Sequence, residues 1–225
     1  MKRKFSGITA AILDVILPAV CVNCGAEVLG PKLLCSRCAE SIIIRKAPKR
    51  IGSRFLFAAA DYNDPSVQRL VKAMKYSGIW KAGYPISEII MSHLEISGFK
   101  QSFPITENAF IVPIPIHFVK RWKRGFNQSE ILADIVAKKI GIPVVKALRR
   151  RRWTPPQSRM ASDGIRSLNI KGCFSLSRSA RKIPRRSAII ILDDIVTSGE
   201  TMKEAAGVLK PLRPSAIFFV SAASR

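Results

Sequence analysis

The chain has 225 residues, 48% hydrophobic and 24% charged, and its 38 Lys and Arg against 15 Asp and Glu give a formal charge of +23. That length allows one full domain with its own core plus a small appendage, and that composition excludes fibrous repeats and disorder. The charge asks for a polyanionic partner, whether nucleic acid, an anionic membrane surface or a phosphorylated metabolite, without choosing among them.

Lys2, Arg3 and Lys4 open the chain ahead of a mostly apolar stretch over 8–20. A secretory signal has this outline, but Asp14 interrupts the run, Pro18 breaks it, and no small-x-small cleavage site precedes the cysteines. Ile8, Ala11, Ile12, Val15 and Ile16 recur at helical spacing, so a short amphipathic helix is expected instead. No later stretch reaches the roughly 18 apolar residues that a membrane span requires, and the expectation is a soluble, cytoplasmic protein with no transmembrane segment.

Cys21, Cys24, Cys35 and Cys38 form two Cys-x-x-Cys pairs with ten residues between them, and Gly25, Gly30 and Pro31 supply the turns. Two such knuckles offer the four thiolates that zinc takes in tetrahedral geometry, in a closed site that contributes to folding rather than to chemistry. A disulfide framework is the alternative, with no secretory context behind it. The basic, Pro- and Gly-containing stretch over 45–54 marks a domain boundary, giving 1–48 as helix and four-cysteine zinc knuckle and 49–225 as the main domain.

A strand is predicted over 55–62 and a helix over 65–76, with Val67, Leu70, Val71 and Met74 on one face, Gln68, Arg69 and Lys72 on the other, and Gly78 as the stop. A short strand over 110–112 leads into Pro113-Ile-Pro-Ile-His117. Asn127 or Ser129 then caps a helix whose apolar side holds Ile131, Ile135, Val136 and Ile140. Lys120, Arg121, Lys123 and Arg124 surround Trp122, and a second basic cluster runs over 149–152 beside Trp153. Such clusters are solvated surface or, with aromatic residues interleaved, a groove for single-stranded nucleic acid. His93 and His117 stand beside apolar residues, where a lone His is more often structural than catalytic, and Cys173 reads as a small core residue.

Five apolar residues without alternation over 188–192 predict a strand buried on both faces, followed by a helix over 201–210 and a strand over 216–220. Strand, helix and strand in this order imply an α/β fold with an open, mostly parallel sheet. Between the first of these strands and the helix lies Asp193-Asp194-Ile-Val-Thr197-Ser198-Gly199-Glu200-Thr201. Open α/β sheets bind ligands at the carboxyl ends of their strands. Thr197, Ser198, Gly199 and Thr201 can surround a phosphate with hydroxyls and N–H groups at a helix amino terminus, while Asp193 and Asp194 can accept hydrogen bonds from vicinal hydroxyls. A 5-phosphorylated ribose carries both features. There is no G-x-x-x-x-G-K-[ST] of a P-loop NTPase, and a response-regulator acid pocket leaves the phosphate loop unexplained.

Four apolar residues, Asp-Asp, two further residues and Thr-Ser-Gly-x-Thr resemble the signature of type I phosphoribosyltransferases. The wider pattern resembles the ComF family of competence-associated, phosphoribosyltransferase-like proteins with an amino-terminal zinc knuckle. It is carried by the Cys quartet, Tyr62 through Lys75-Tyr76-Ser77-Gly78, Val112-Pro-Ile-Pro115, Arg124-Gly-Phe-Asn-Gln128, Gln157, and Arg166 with Asn169. The resemblance implies 5-phosphoribosyl 1-pyrophosphate with Mg²⁺ as ligand. Asp193 and Asp194 would hold the ribose hydroxyls, Thr197 to Thr201 the 5-phosphate, and Arg124 and its neighbours the pyrophosphate. It also implies a link to DNA uptake, with single-stranded DNA and uptake proteins as partners. Glu200 departs from the small residue expected in that loop, and its charge opposes a phosphate unless the side chain points outward.

Overall fold

The computed structural model describes residues 19–28, 33–102, 108–152 and 170–225. The helix predicted over 8–16, Gly30, Pro31, Trp153, Gln157, Arg166 and Asn169 lie outside the described residues.

The cysteine region is made of β1 (Ala19–Val20) and β2 (Glu27–Val28), paired antiparallel, and the short helix α1 (Ser36–Glu40). The main unit follows as β3 (Lys49–Ile51), β4 (Arg54–Asp61), α2 (Pro65–Tyr76), α3 (Gly83–Ile96), α4 (Phe99–Ser102) and β5 (Ala109–Pro113). It continues with α5 (Phe118–Arg124), α6 (Gln128–Ile140), the antiparallel pair β6 (Leu148–Arg150) and β7 (Phe174–Leu176), β8 (Ala188–Val196), α7 (Glu200–Leu209) and β9 (Ala216–Ser224).

The main sheet has the order β3-β4-β9-β8-β5, parallel throughout except for the antiparallel edge strand β3. Its two faces are both buried, as a parallel sheet requires. Phe57, Ala59, Ile190, Leu192 and Val220 pack with residues of α2, α3 and α6, while Leu56, Ala58, Ile189, Ile191 and Phe219 pack with α7 and the β6-β7 pair. Cys173 joins the second core, fully buried.

Local chemistry sets the helix ends. Asp64 caps α2 by accepting hydrogen bonds from Ser66 N at 2.8 Å and Val67 N at 3.0 Å, and Pro65 takes the first helical position, where an N–H is not needed. Of the two candidates for the cap of α6, Asn127 serves, accepting from Ser129 N at 3.2 Å. The strand predicted over 188–192 extends to Val196, because Asp193, Ile195 and Val196 continue the ladder with Ser221, Ala223 and Ser224 of β9.

The cysteine region is not a loose appendage. Cys21, Leu34, Cys38 and Ile42 share one buried cluster with Phe57 of β4 and Ile90 of α3. Arg69 of α2 donates to the Asn23 carbonyl, and Arg45, just past the knuckle, bonds Asp61 and Ser224 at the carboxyl ends of β4 and β9. His93 is fully buried with Nδ1 against the Arg45 carbonyl, and His117 caps α5, so both are structural in this fold.

Candidate functional site

The four cysteine sulfurs lie within 4.8 Å of one another, with Cys24 and Cys35 3.7 Å apart. Zinc–thiolate bonds of about 2.3 Å in a tetrahedron put neighbouring sulfurs ~3.8 Å apart, so the cluster fits that ion. Cys21 and Cys38 are buried against the main core, and Asn23 donates to the Cys38 sulfur at 3.4 Å. Four protein ligands leave no position for a substrate, which makes this a structural zinc site.

Asp193 and Asp194 occupy the carboxyl end of β8, and each is fixed by a different helix. Asp193 Oδ1 accepts from Ser129 Oγ at 2.7 Å, in the first turn of α6, and from the Asp194 backbone N–H at 2.9 Å. Asp194 Oδ2 lies 2.6 Å from the Lys75 ammonium, in the last turn of α2, and its Oδ1 accepts from Ile195 N at 2.9 Å. Burial, and then the neighbouring Asp194 charge, push the Asp193 carboxyl up to about 7, against the opposing pull of Ser129 and Lys75. Burial alone would push the Lys75 ammonium down, but the Asp194 carboxylate overrides it and leaves it raised.

Cations gather beside this acidic pair. Burial, then Arg150, Arg124 and Lys75 nearby, push the Lys120 ammonium down to about 8 against the pull of Asp194, and Arg124 also acts on Lys75, so Lys75, Lys120 and Arg124 share one cleft with the acids. Arg124 donates to Gln128 Oε1 at 3.0 Å and its guanidinium lies 5.8 Å from the Tyr76 ring centroid. The loop after β5 enters the same cleft: Ile114 N donates to the Leu192 carbonyl at 2.9 Å, and Asn127 Nδ2 donates to the Ile114 carbonyl at 3.0 Å. The Gln128 amide nitrogen and the Ser198 hydroxyl are shut off from solvent without a hydrogen-bond partner among the described residues. Buried polar groups in that condition are candidates for ligand contact.

The turn over 197–199 opens α7 directly after the acids. Gly199 caps the helix at φ 78°, and a Cβ there would stand 2.7 Å from Ile51 Cδ1, so the edge strand β3 closes over the turn and leaves room for glycine alone. Glu200 pairs with Lys203 one turn along the helix at 2.7 Å, which offsets part of its charge. Thr197 is exposed, and Ser198 and Thr201 are half-buried.

The structure thus brings Asp193, Asp194, Arg124 and the loop from Thr197 to Thr201 to one edge of the sheet. Lys120 joins them from the basic cluster already named beside Arg124, and Lys75, Gln128 and Ser129 join them without having been given a site role from the sequence. For Lys75 a signal existed: it follows Val67 and Val71 at four-residue steps, on the stripe that faces the core. A cavity of about 810 Å³ lies elsewhere, between Leu34 and Ile42 of the knuckle region and Trp80, Tyr84 and Ile89. Its apolar walls offer little to an anion.

Comparison with known proteins gives two family matches, a double zinc ribbon domain over residues 12–61 and a phosphoribosyl transferase domain over 127–225. DNA utilization protein YhgH of Salmonella typhi is 26% identical over 192 residues, 85% of this chain and 78% of that protein. The Escherichia coli protein of that name is 28% identical, over 84% of this chain and 77% of its own. Competence protein F of Haemophilus influenzae is 28% identical over 120 residues, which is 53% of this chain and about half, 52%, of that protein. Among solved structures, adenine phosphoribosyltransferase of Saccharomyces cerevisiae is similar at 14% identity and TM-score 0.42, over 85% of this chain and 90% of that one. So remote a likeness adds nothing to the family matches and the strand order, which carry the fold. Those matches, the cysteine cluster and the two sets of relatives make the chain a ComF-type protein, a homologue of competence protein F and the YhgH proteins with a double zinc ribbon domain ahead of a phosphoribosyl transferase domain.

Proposed function

We propose that this protein binds 5-phosphoribosyl 1-pyrophosphate with Mg²⁺ and transfers the phosphoribosyl group to a nitrogen acceptor. The observation that carries the reading is the juxtaposition at the end of β8: two carboxylates, a glycine turn opening α7, and the cations Lys75, Lys120 and Arg124 beside them. The carboxylates suit a ribose diol, the turn and helix amino terminus suit the 5-phosphate, and Arg124 with Lys120 suits the pyrophosphate. In transfer, the bond from ribose C1 to the pyrophosphate oxygen breaks with its electron pair leaving on pyrophosphate, and the acceptor nitrogen forms the new bond to C1 and loses a proton. Arg124 and Lys120 would offset the charge that develops on the leaving group. Mg²⁺ would arrive on the pyrophosphate oxygens, where it neutralises the same charge, since both carboxylates already hold protein partners. A cytoplasmic site of action goes with this ligand, and among the described residues no helix is long and apolar enough to cross a membrane.

Calorimetry of the zinc-loaded protein with phosphoribosyl pyrophosphate and Mg²⁺ tests the reading. Saturable heat that Asp193→Asn and Asp194→Asn abolish is expected, and its absence from a folded sample would refute the assignment.

A second reading rests on α5. None of its residues is buried, and Phe118 and Trp122, one turn apart, are 72% and 79% exposed between Lys and Arg side chains. Exposed aromatics among cations suit stacked bases and phosphates, so the helix fits single-stranded DNA, in line with the names of the relatives. Oligonucleotide affinity that falls with salt and with Trp122→Ala, while the sugar phosphate still binds, would establish this surface as separate from the cleft.

A further inference from the structure

We infer that Lys75 is a built-in counter-cation of the ligand site, holding Asp194 in place so that the ribose 5-phosphate half of the ligand binds without a divalent metal. The inference rests on the proposed sugar-phosphate reading and adds to it a residue and a division of labour.

The geometry is specific. The Lys75 ammonium lies 2.6 Å from Asp194 Oδ2, with side-chain exposures of 21% and 10%, in the cleft that also holds the Asp193–Ser129 contact. A lysine this enclosed, on the core-facing stripe of α2, needs a partner of opposite charge, and Asp194 is that partner. Without a cation, two adjacent carboxylates repel each other as well as a ligand that is itself an anion. Lys75 offsets the Asp194 charge at 2.6 Å. Asp194 keeps Oδ1 on the Ile195 N–H, so its orientation is set from two sides. A side chain delivered by the end of a helix supplies this counter-charge before any ligand arrives, and Mg²⁺ is left to serve the pyrophosphate half alone. Lys75 is therefore a positioning residue: it acts on the ligand through Asp194.

The test uses ribose 5-phosphate, which has the diol and the phosphate but no pyrophosphate, titrated calorimetrically into the full-length, zinc-loaded protein. Mg²⁺ is omitted or added at millimolar level, and no chelator is used, so the zinc stays bound. The wild-type protein is expected to bind equally with and without Mg²⁺. Lys75→Met should bind about tenfold or more weakly without metal and regain most of that loss with Mg²⁺, which can approach the carboxylate that Lys75 has left. Lys75→Arg keeps the charge and should behave as wild type. Zinc content and the thermal unfolding profile show whether each variant is folded. Should Lys75→Met not fold, Lys75→Gln, which retains a hydrogen-bond donor without the charge, is read in the same way.

Equal binding by wild type and the uncharged variant overturns the inference while leaving the sugar-phosphate reading intact. An equal loss in uncharged variant and Lys75→Arg, unmoved by Mg²⁺, overturns it too, because that pattern marks a packing role. A wild-type protein that gives no heat with either ribose 5-phosphate or phosphoribosyl pyrophosphate sinks the underlying reading and takes this one with it.

Discussion

Gly199→Ala tests whether the phosphate-loop turn and the sheet edge form one unit. Gly199 sits at φ 78°, a backbone region that costs an alanine about 1–2 kcal/mol. The added methyl would stand 2.7 Å from Ile51 Cδ1 and 2.9 Å from Ile51 Cγ2, an overlap typical of overpacked cores, worth about 1–3 kcal/mol. The two effects add to roughly 2–5 kcal/mol in the wild-type background. With Ile51→Ala already present the overlap is gone and only the backbone cost remains. Urea unfolding at fixed zinc concentration, run as a double-mutant cycle, should then show Gly199→Ala costing about 1–3 kcal/mol less in that background than in wild type. An equal cost in both backgrounds would refute the claim that β3 closes over the turn. The coupling also has a consequence for ligand: a turn pushed away from Ile51 moves its N–H groups, so the same substitution should weaken sugar-phosphate binding more than it weakens folding.

Removing zinc, by chelation or by Cys24→Ser, should unsettle more than the knuckle, because Cys21 and Cys38 share a core cluster with Val67, Leu70 and Ile90; faster hydrogen exchange in α2 and α3 is expected, and exchange changes confined to residues 19–44 would contradict it. The Asp193 carboxyl, raised from 3.8 to about 7, favours folding in its protonated form. Its contribution is complete below about pH 4 and is lost as pH rises to about 7, and a flatter stability profile over that interval is expected of Asp193→Asn. Because a diol acceptor is best ionised, sugar-phosphate affinity should rise across the same interval, and a pH-independent affinity would argue against that role. Phe118→Ala with Trp122→Ala removes two exposed rings, so folding should change by no more than about 0.5 kcal/mol while oligonucleotide affinity drops.

How much of this was legible in the sequence depended on whether the signal was contiguous. The run from Ala188 to Thr201 carries the buried strand, the acids, the glycine turn and the helix start in succession, so strand, turn and helix could be read in one pass. The helix over 65–76 was equally plain, since Asp64, Pro65 and the apolar spacing agree. The end of β8 was not, because its last residues pair through the backbone, which does not register that the side chains have become charged. The helix α3 was missed for another reason. It opens with Gly83 and Pro85, which read as punctuation and hide a helical period in which Glu88, Ser92 and Glu95 are exposed opposite the buried Ile86, Ile90 and Leu94.

Lys75 shows what separates a readable site from an unreadable one. A lysine on the core-facing stripe of a helix must either reach water or find a carboxylate, and the stripe alone calls for such a partner without naming it. The acids at 193 and 194 pose the converse problem, since two carboxylates at a buried strand end cannot both stay charged without help. Each half of that pair is visible in the sequence as an unmet requirement, about 120 positions from its answer. Only the packing of α2 against the sheet brings the two together, with Asp194 on the same face of β8 as Ile190 and Leu192, toward α2. Unmet requirements of opposite sign on two elements that share a core are thus a basis for pairing residues by sequence alone, and the Lys75–Asp194 contact is one case in which that pairing would have been correct.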